Sequence, residues 1–270
     1  MMSETLKVAL AQVDIVWEKP SENLEIICTR AFEAARQGAE VIVFPEVMTT
    51  GFSMRLERVA EDLPSYSLAR VREIAREANI AIVSSILIKE EGKYYNRVYM
   101  ITPQGEEYYQ DKRHLFRMGG EAKCVSPATH RTIFSYKGWR ILLIACYDLR
   151  FPVWCRNKSN EYDLLIDVAN WPEPRRVVWS TLLRARAMEN ISYVCGVNRV
   201  GVDPEGFVYT GDSALIDSRG KELILCPSKE EILQVVTLEK APLLRMREKF
   251  PAWMDIDPFT LDLSAPYPIY

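Results

Sequence analysis

Short runs of β-branched and aliphatic residues alternate with segments whose apolar positions recur every three or four residues, the pattern of an α/β protein. Lys7 to Val13 predicts a first strand, and the face Leu24, Ile27, Cys28, Ala31 and Ala35 predicts a helix capped by Ser21. Val41 to Phe44 is a fully apolar strand that Pro45 ends. Ser67 to Ala78 repeats the helical spacing through Leu68, Val71, Ile74, Ala75 and Ala78, and a strand over Ile80 to Ile88 follows. Turns at Glu90-Glu91-Gly92 and Pro103-Gln104-Gly105 set off Tyr94 to Thr102 and Glu107 to Lys112 as a meander.

The second half repeats the alternation. Thr132 to Tyr136 and Trp139 to Cys146 predict a hairpin across Lys137-Gly138, followed by a short helix from about Phe151. Asp163 to Ala169 is a strand, Pro174 to Glu189 a long helix, and Ser192 to Arg199 a further strand. Ser213 to Asp217 and Glu222 to Leu225 flank the turn Ser218-Arg219-Gly220, and Ile232 to Leu238 ends the sheet. A short helix past Pro242 leads into a tail, 251–270, carrying Trp253, Phe259, Tyr267 and Tyr270. So apolar a tail is expected to dock on the body or on a neighbouring subunit.

Composition narrows the class. The 270 residues are 48% hydrophobic and 26% charged, which excludes disorder and coiled coil. No linker-like stretch divides them, so a single domain over 1–270 is expected, with its core at about 5–240 and a docking tail at about 241–270. The net charge of -3, with both signs interspersed, offers no basic surface for nucleic acid. The apolar run Ile141 to Cys146 is far short of the roughly 20 residues that span a bilayer. With no secretory signal either, no membrane partner and a cytoplasmic location are expected.

Six cysteines occur at irregular spacings without a C-x-x-C pair, which argues against a zinc knuckle or a disulfide framework. No metal and no cofactor are expected. A Ser-His or Cys-His arrangement would have to use one of the two histidines, His114 or His130; otherwise the base of a nucleophilic enzyme must be a carboxylate.

Three strand ends carry reactive groups. In Val41-Ile42-Val43-Phe44-Pro45-Glu46, apolar neighbours desolvate the Glu46 carboxylate and raise its affinity for a proton, as a general base requires. A solvated or capping glutamate is the competing reading. Lys112 closes another strand and could hold a developing oxyanion, unless it is an ordinary surface lysine. His114 in the same loop could be a base, although a hydrogen-bonded structural histidine is the preferred reading. Cys146 stands at the carboxyl end of a buried strand, where the turn Tyr147-Asp148-Leu149 resembles a nucleophile elbow whose N–H groups face an oxyanion and favour thiolate. The flanking glycines of the usual elbow are missing.

Seven ordered blocks then resemble one family. Pro45-Glu46, Asp111-Lys112-Arg113-His114-Leu115, Cys146-Tyr147-Asp148-Leu149-Arg150-Phe151-Pro152, Asn170-Trp171-Pro172, Arg184-Ala185-Arg186-Ala187-Met188-Glu189-Asn190, Gly196-Val197-Asn198-Arg199-Val200-Gly201 and Gly211-Asp212-Ser213 resemble the nitrilase superfamily of carbon-nitrogen hydrolases. Within it the wording is most similar to the omega-amidases, which include enzymes acting on 2-oxoglutaramate. The resemblance implies a four-layer αββα sandwich, a Glu46-Lys112-Cys146 triad, and Glu121 as a second acid. It also implies hydrolysis of the terminal amide of a small omega-amide through a cysteine thioester, with Tyr147 N–H and Lys112 on the oxyanion.

A far carboxylate on such a substrate asks for a cation. Arg117 and Arg150 are the candidates, with Arg175 behind them, and Phe116 and Trp171 belong to the expected apolar wall alongside Phe52 and Met118. Arg150 has a structural alternative, pairing with Asp148 or another buried acid to brace the elbow. Three competing readings stay open: a carbamoyl-amine hydrolase or nitrilase on the same triad, a non-catalytic binding relative, and a redox sensor pairing Cys146 with Cys155. Family resemblance further implies a homodimer or larger assembly.

Overall fold

The computed structural model describes residues 4–263. Tyr267 and Tyr270 of the expected tail lie outside the described residues.

Two six-strand paths face each other. The first runs Ile232–Glu239, Thr5–Gln12, Val41–Val43, Ala81–Glu90, Lys93–Ile101, Glu107–Asp111, with the short Glu61–Asp62 strand also on Ala81–Glu90. The second runs Glu222–Leu225, Ala214–Ile216, Tyr193–Asn198, Leu164–Ala169, Trp139–Ala145, Ile133–Tyr136. In each, three central strands are parallel and the flanking pairs antiparallel.

Side-chain alternation builds the layers. Leu6, Val8 and Leu10 of the first strand meet Ile141, Leu143, Ile166 and Val168 of the other sheet, while Ala9 and Ala11 turn outward onto Leu24, Ile27 and Ala31 of the helix Pro20–Arg36. On the far side Leu142, Ile144 and Leu165 pack against Trp179, Leu183 and Ala187 of the helix Arg176–Asn190. Gly196 lets that helix approach, since a Cβ there would lie 2.5 Å from Leu183 and 2.9 Å from Trp179. The result is the four-layer αββα sandwich. Among the described residues, no helix is long and apolar enough to cross a membrane.

Two local features differ from expectation, and the tail takes one of its two expected places. Ser21 does not cap the first helix; Pro20 opens it, with Lys19 at the cap position and no side-chain cap, because proline's fixed φ suits the first helical residue. Between the strands Tyr193–Asn198 and Ala214–Ile216 of the second sheet the chain makes a hairpin not expected from sequence, Val200–Val202 with Val208–Thr210. The tail through 263 docks on its own chain: Leu261 and Leu263 pack on the outer core layer, and the Phe259 carbonyl accepts from Lys158 at 2.8 Å. Trp253 and Phe259 are consequently half-buried.

Candidate active site

Three strand ends converge. Glu46 follows Val41–Val43, Lys112 follows Glu107–Asp111, and Cys146 follows Trp139–Ala145, so two groups come from one sheet and the third from the other. Open α/β sheets hold ligands at this end of their parallel strands.

Lys112 Nζ lies 2.8 Å from Glu46 Oε1 and 3.0 Å from Glu121 Oε2, and none of the three side chains is more than 1% exposed. The carboxylates are also supported from other directions. Asn96 Nδ2 donates to Glu46 Oε1 at 2.8 Å and to Glu121 Oε1 at 3.2 Å. The Asn170 N–H donates to Glu46 Oε2 at 3.0 Å, its side-chain amide to the Glu46 carbonyl at 2.6 Å, and the Phe116 N–H to Glu121 Oε2 at 2.7 Å. Buried charges are tolerable only when paired and hydrogen-bonded in this way.

Electrostatics follow from that geometry. Burial works against the Lys112 charge, but Glu121 and Glu46 outweigh it and hold the ammonium well above its ordinary pKa. Burial raises the Glu121 carboxyl, Lys112 draws it back and Glu46 raises it again, leaving it above the usual carboxylate range. Lysine carries three N–H donors, and two of them are committed to these acids. The third remains for a ligand.

Cys146 adopts φ 49°, a left-handed backbone unusual for a side chain with a Cβ, and so turns the chain sharply out of its strand. Burial, then Glu46, pushes its thiol well above the ordinary value, and Lys112 only partly offsets them. Burial and Glu46 thus oppose the thiolate that the local N–H groups were expected to favour. The Cys146 N–H is committed to Asp167 Oδ1 at 2.6 Å, and the thiol faces the Asn170 carbonyl at 3.8 Å.

Asp148 braces the elbow. Its buried carboxylate accepts from Ala145 N at 3.2 Å, Arg113 N at 3.4 Å and His114 N at 2.8 Å, and it also faces the His114 ring. His114 stacks on Phe151, which confirms its structural reading.

Cys146 and Lys112 open onto a cavity of ≈ 300 Å³ walled by Phe52, Phe116, Tyr147, Trp171, Phe207 and Tyr209. Arg150 lines it with its guanidinium 5.0 Å from the Trp171 ring, and Arg175 does so 5.1 Å from the Phe116 ring. Asp148 is bonded to the lysine loop and the elbow, and the Arg150 guanidinium lies instead over the Tyr147 and Trp171 rings. Arg117 is exposed and does not line the cavity, whereas Arg150 and Arg175 both do.

Sequence reasoning did not single out Asn96, Asn170 or the hairpin residues. Asn170-Trp171-Pro172 offered a motif for Asn170, whereas Asn96 has no local mark in its strand. The hairpin adds Asp203, Glu205, Phe207 and Tyr209 to the wall; Asp203 orders its turn by accepting from Glu205 N at 3.0 Å, Phe207 N at 2.9 Å and the Tyr209 hydroxyl at 2.8 Å. Among the described residues, no group of His, Cys, Asp or Glu is arranged to hold a metal ion.

The sequence model of the carbon-nitrogen hydrolase family matches residues 7–244. Omega-amidase YafV of Escherichia coli K12 is 40% identical over 262 residues, covering 95% of this chain and 98% of that one. The 2-oxoglutaramate amidase of Bacillus subtilis 168 is 30% identical over 256 residues, covering 92% and 96%. XC1258 of Xanthomonas campestris, a CN-hydrolase superfamily protein solved with an arsenic adduct in its active site, superimposes with a TM-score of 0.93 at 38% identity, covering 96% of this chain and 100% of that one. With the sandwich, the convergent strand ends and a match along nearly the whole sequence in agreement, this chain belongs to the carbon-nitrogen hydrolase family.

Proposed function

We propose that the chain is an omega-amidase, hydrolysing the terminal amide of a small dicarboxylic or 2-oxo acid of the succinamate and 2-oxoglutaramate type to the acid and ammonia. The carrying observation is that Arg150 and Arg175, each resting on an aromatic ring, face the cavity shared by Cys146 and Lys112. A guanidinium matches a carboxylate with two parallel hydrogen bonds, so the far carboxylate is held while the amide reaches the sulfur.

In this reading Glu46 takes the Cys146 proton and the sulfur attacks the amide carbon. The third N–H of Lys112 and the Tyr147 N–H hold the resulting oxyanion. Glu46 returns its proton to the amide nitrogen, the C–N bond breaks and ammonia leaves a thioester. Glu46 then takes a proton from water, whose oxygen attacks the thioester; the C–S bond breaks and that proton returns to sulfur. Glu121 keeps Lys112 aimed and charged throughout. Phe116 and Trp171 set the apolar wall.

The test is ammonia release from succinamate, 2-oxoglutaramate, glutamine, asparagine, N-carbamoyl amines and simple nitriles. Preference for the first two supports the proposal; preference for a carbamoyl amine or nitrile overturns it.

The same reading treats the chain as one hydrolase domain acting in the cytoplasm as a homodimer or larger assembly. Val153 and Val177, 52% and 73% exposed beside the elbow and on the long helix, support pairing through that face. Light scattering that finds a monomer at micromolar concentration refutes it.

A further inference from the structure

One buried acid near the nucleophile has no part in the steps above. In the strand Leu164–Ala169, Leu164, Ile166 and Val168 face the opposite sheet, so alternation turns Asp167 toward the helix layer with Leu165 and Ala169. Its register partners on the two neighbouring strands are Gly196 and Ile144, so the flanking strands offer it no polar side chain. Asp167 is 0% exposed. Oδ1 accepts the Cys146 N–H at 2.6 Å, and Oδ2 is buried with no hydrogen-bond partner among the described residues.

An unpartnered carboxylate oxygen in this layer carries a far larger desolvation cost than an unpartnered hydroxyl. The charged and titratable groups facing it do not supply compensation. Glu46, Asp148 and the thiols of Cys146, Cys155 and Cys195 all oppose a negative charge here or are opposed by it. Lys112 favours the charge but is already shared by Glu46 and Glu121. Arg186, the cation on the overlying helix, is committed to the Leu149 carbonyl and to Glu189. Burial accordingly drives the Asp167 carboxyl well above its ordinary range.

We propose that Asp167 is a positioning residue for the nucleophile: as an uncharged acid it anchors the Cys146 N–H through Oδ1, holding the left-handed elbow without placing negative charge behind the sulfur. An ionised group at that contact would oppose thiolate formation at the step where it is needed. A neutral one supplies the same acceptor at no electrostatic cost. The inference rests on Cys146 being the nucleophile.

The experiment compares Asp167→Asn and Asp167→Leu in the full chain, reading kcat and KM on succinamate, the pH profile of Cys146 alkylation by iodoacetamide, and urea unfolding. Leucine removes the acceptor, and kcat is expected to fall about tenfold or more with KM changed by about twofold or less. Asparagine keeps an uncharged acceptor of the same shape, so it rescues most of that loss and its alkylation profile overlays the wild type. A profile for Asp167→Asn displaced about one unit or more to lower pH reveals a charged aspartate in the wild type and overturns the proposal. A folded Asp167→Leu protein with wild-type kcat also overturns it. Should leucine prevent folding, the asparagine profile alone decides, supported by loss of a protonated-carboxyl infrared band in Asp167→Asn. A Cys146→Ala protein that turns over at the wild-type rate instead removes the nucleophile assignment, an outcome separate from any Asp167 result.

Discussion

Asp148 holds His114 twice, accepting its backbone N–H at 2.8 Å and facing its ring nitrogen at 2.8 Å. The turn that carries the sulfur is thereby fixed to the loop that carries the ammonium, across the gap between two sheets. Asp148→Ala leaves four polar groups without this acceptor and is expected to destabilise the fold by about 3 kcal/mol. Turnover should fall with it, and urea unfolding alongside ammonia release measures both.

Lys112 neutralises two buried carboxylates at once. Lys112→Met leaves both without their cation and is expected to destabilise by about 3–5 kcal/mol while abolishing ammonia release. Combining it with Glu121→Gln removes one of the stranded charges, so the double variant should unfold at higher urea than Lys112→Met. Equal midpoints for the two proteins count against the shared-cation arrangement.

Arg150 and Arg175 are assigned to the far carboxylate of the substrate. Replacing Arg150 by Met should raise KM for succinamate about 10–100-fold, the loss of one charge-assisted hydrogen-bonded contact, and leave KM for neutral butyramide nearly unchanged. Steady-state kinetics on the two amides provides the comparison. Equal effects on both would mean that Arg150 serves the wall and not the carboxylate.

The Cys146 thiol is raised first by burial and next by Glu46. A raised thiol pKa means less thiolate at neutral pH, so alkylation of the wild type should be slow at pH 7 and climb into the alkaline range. Glu46→Gln removes the second cause and should move the alkylation profile to lower pH while ammonia release is lost for want of a base.

Asp163 offers an acid-stability test. Burial raises its carboxyl, but the Arg140 hydrogen bonds and the Arg140 and Lys240 charges prevail and bring it down to about 2. A depressed folded-state value gives stability that is present above the unfolded value near 3.8 and lost as pH falls through about 2. Wild type should therefore exceed Asp163→Asn by more at pH 5 than at pH 2.5, with a contribution from this ionisation of about 2 kcal/mol.

The elements with strong periodicity were legible, and so were the three strand ends. Leu68, Val71, Ile74 and Ala75 all bury on one face of the helix Tyr66–Ala78, because apolar spacing is a local property that packing preserves. Cys146 was legible for the same reason, standing where an apolar run meets a turn. Choosing among arginines was not, since Arg117 and Arg150 both stand close along the chain to a member of the triad and only the fold puts Arg150 on the cavity wall. Asn96 escaped notice because its partners lie 50 and 25 residues away. The upward pressure on the Cys146 thiol escaped as well: local N–H groups suggested thiolate, but burial beside a carboxylate from the other sheet is a tertiary effect.

The first strand of the chain pairs with the last of its sheet, Thr5 opposite Glu239 and Gln12 opposite Ile232, and the Lys240 N–H closes onto the Glu4 carbonyl at 2.8 Å. During synthesis, residues 5–12 therefore expose an open hydrogen-bonding edge until the ribosome has released the segment through 239. Contacts so distant in sequence make assembly slow and leave that edge vulnerable to other chains in the meantime.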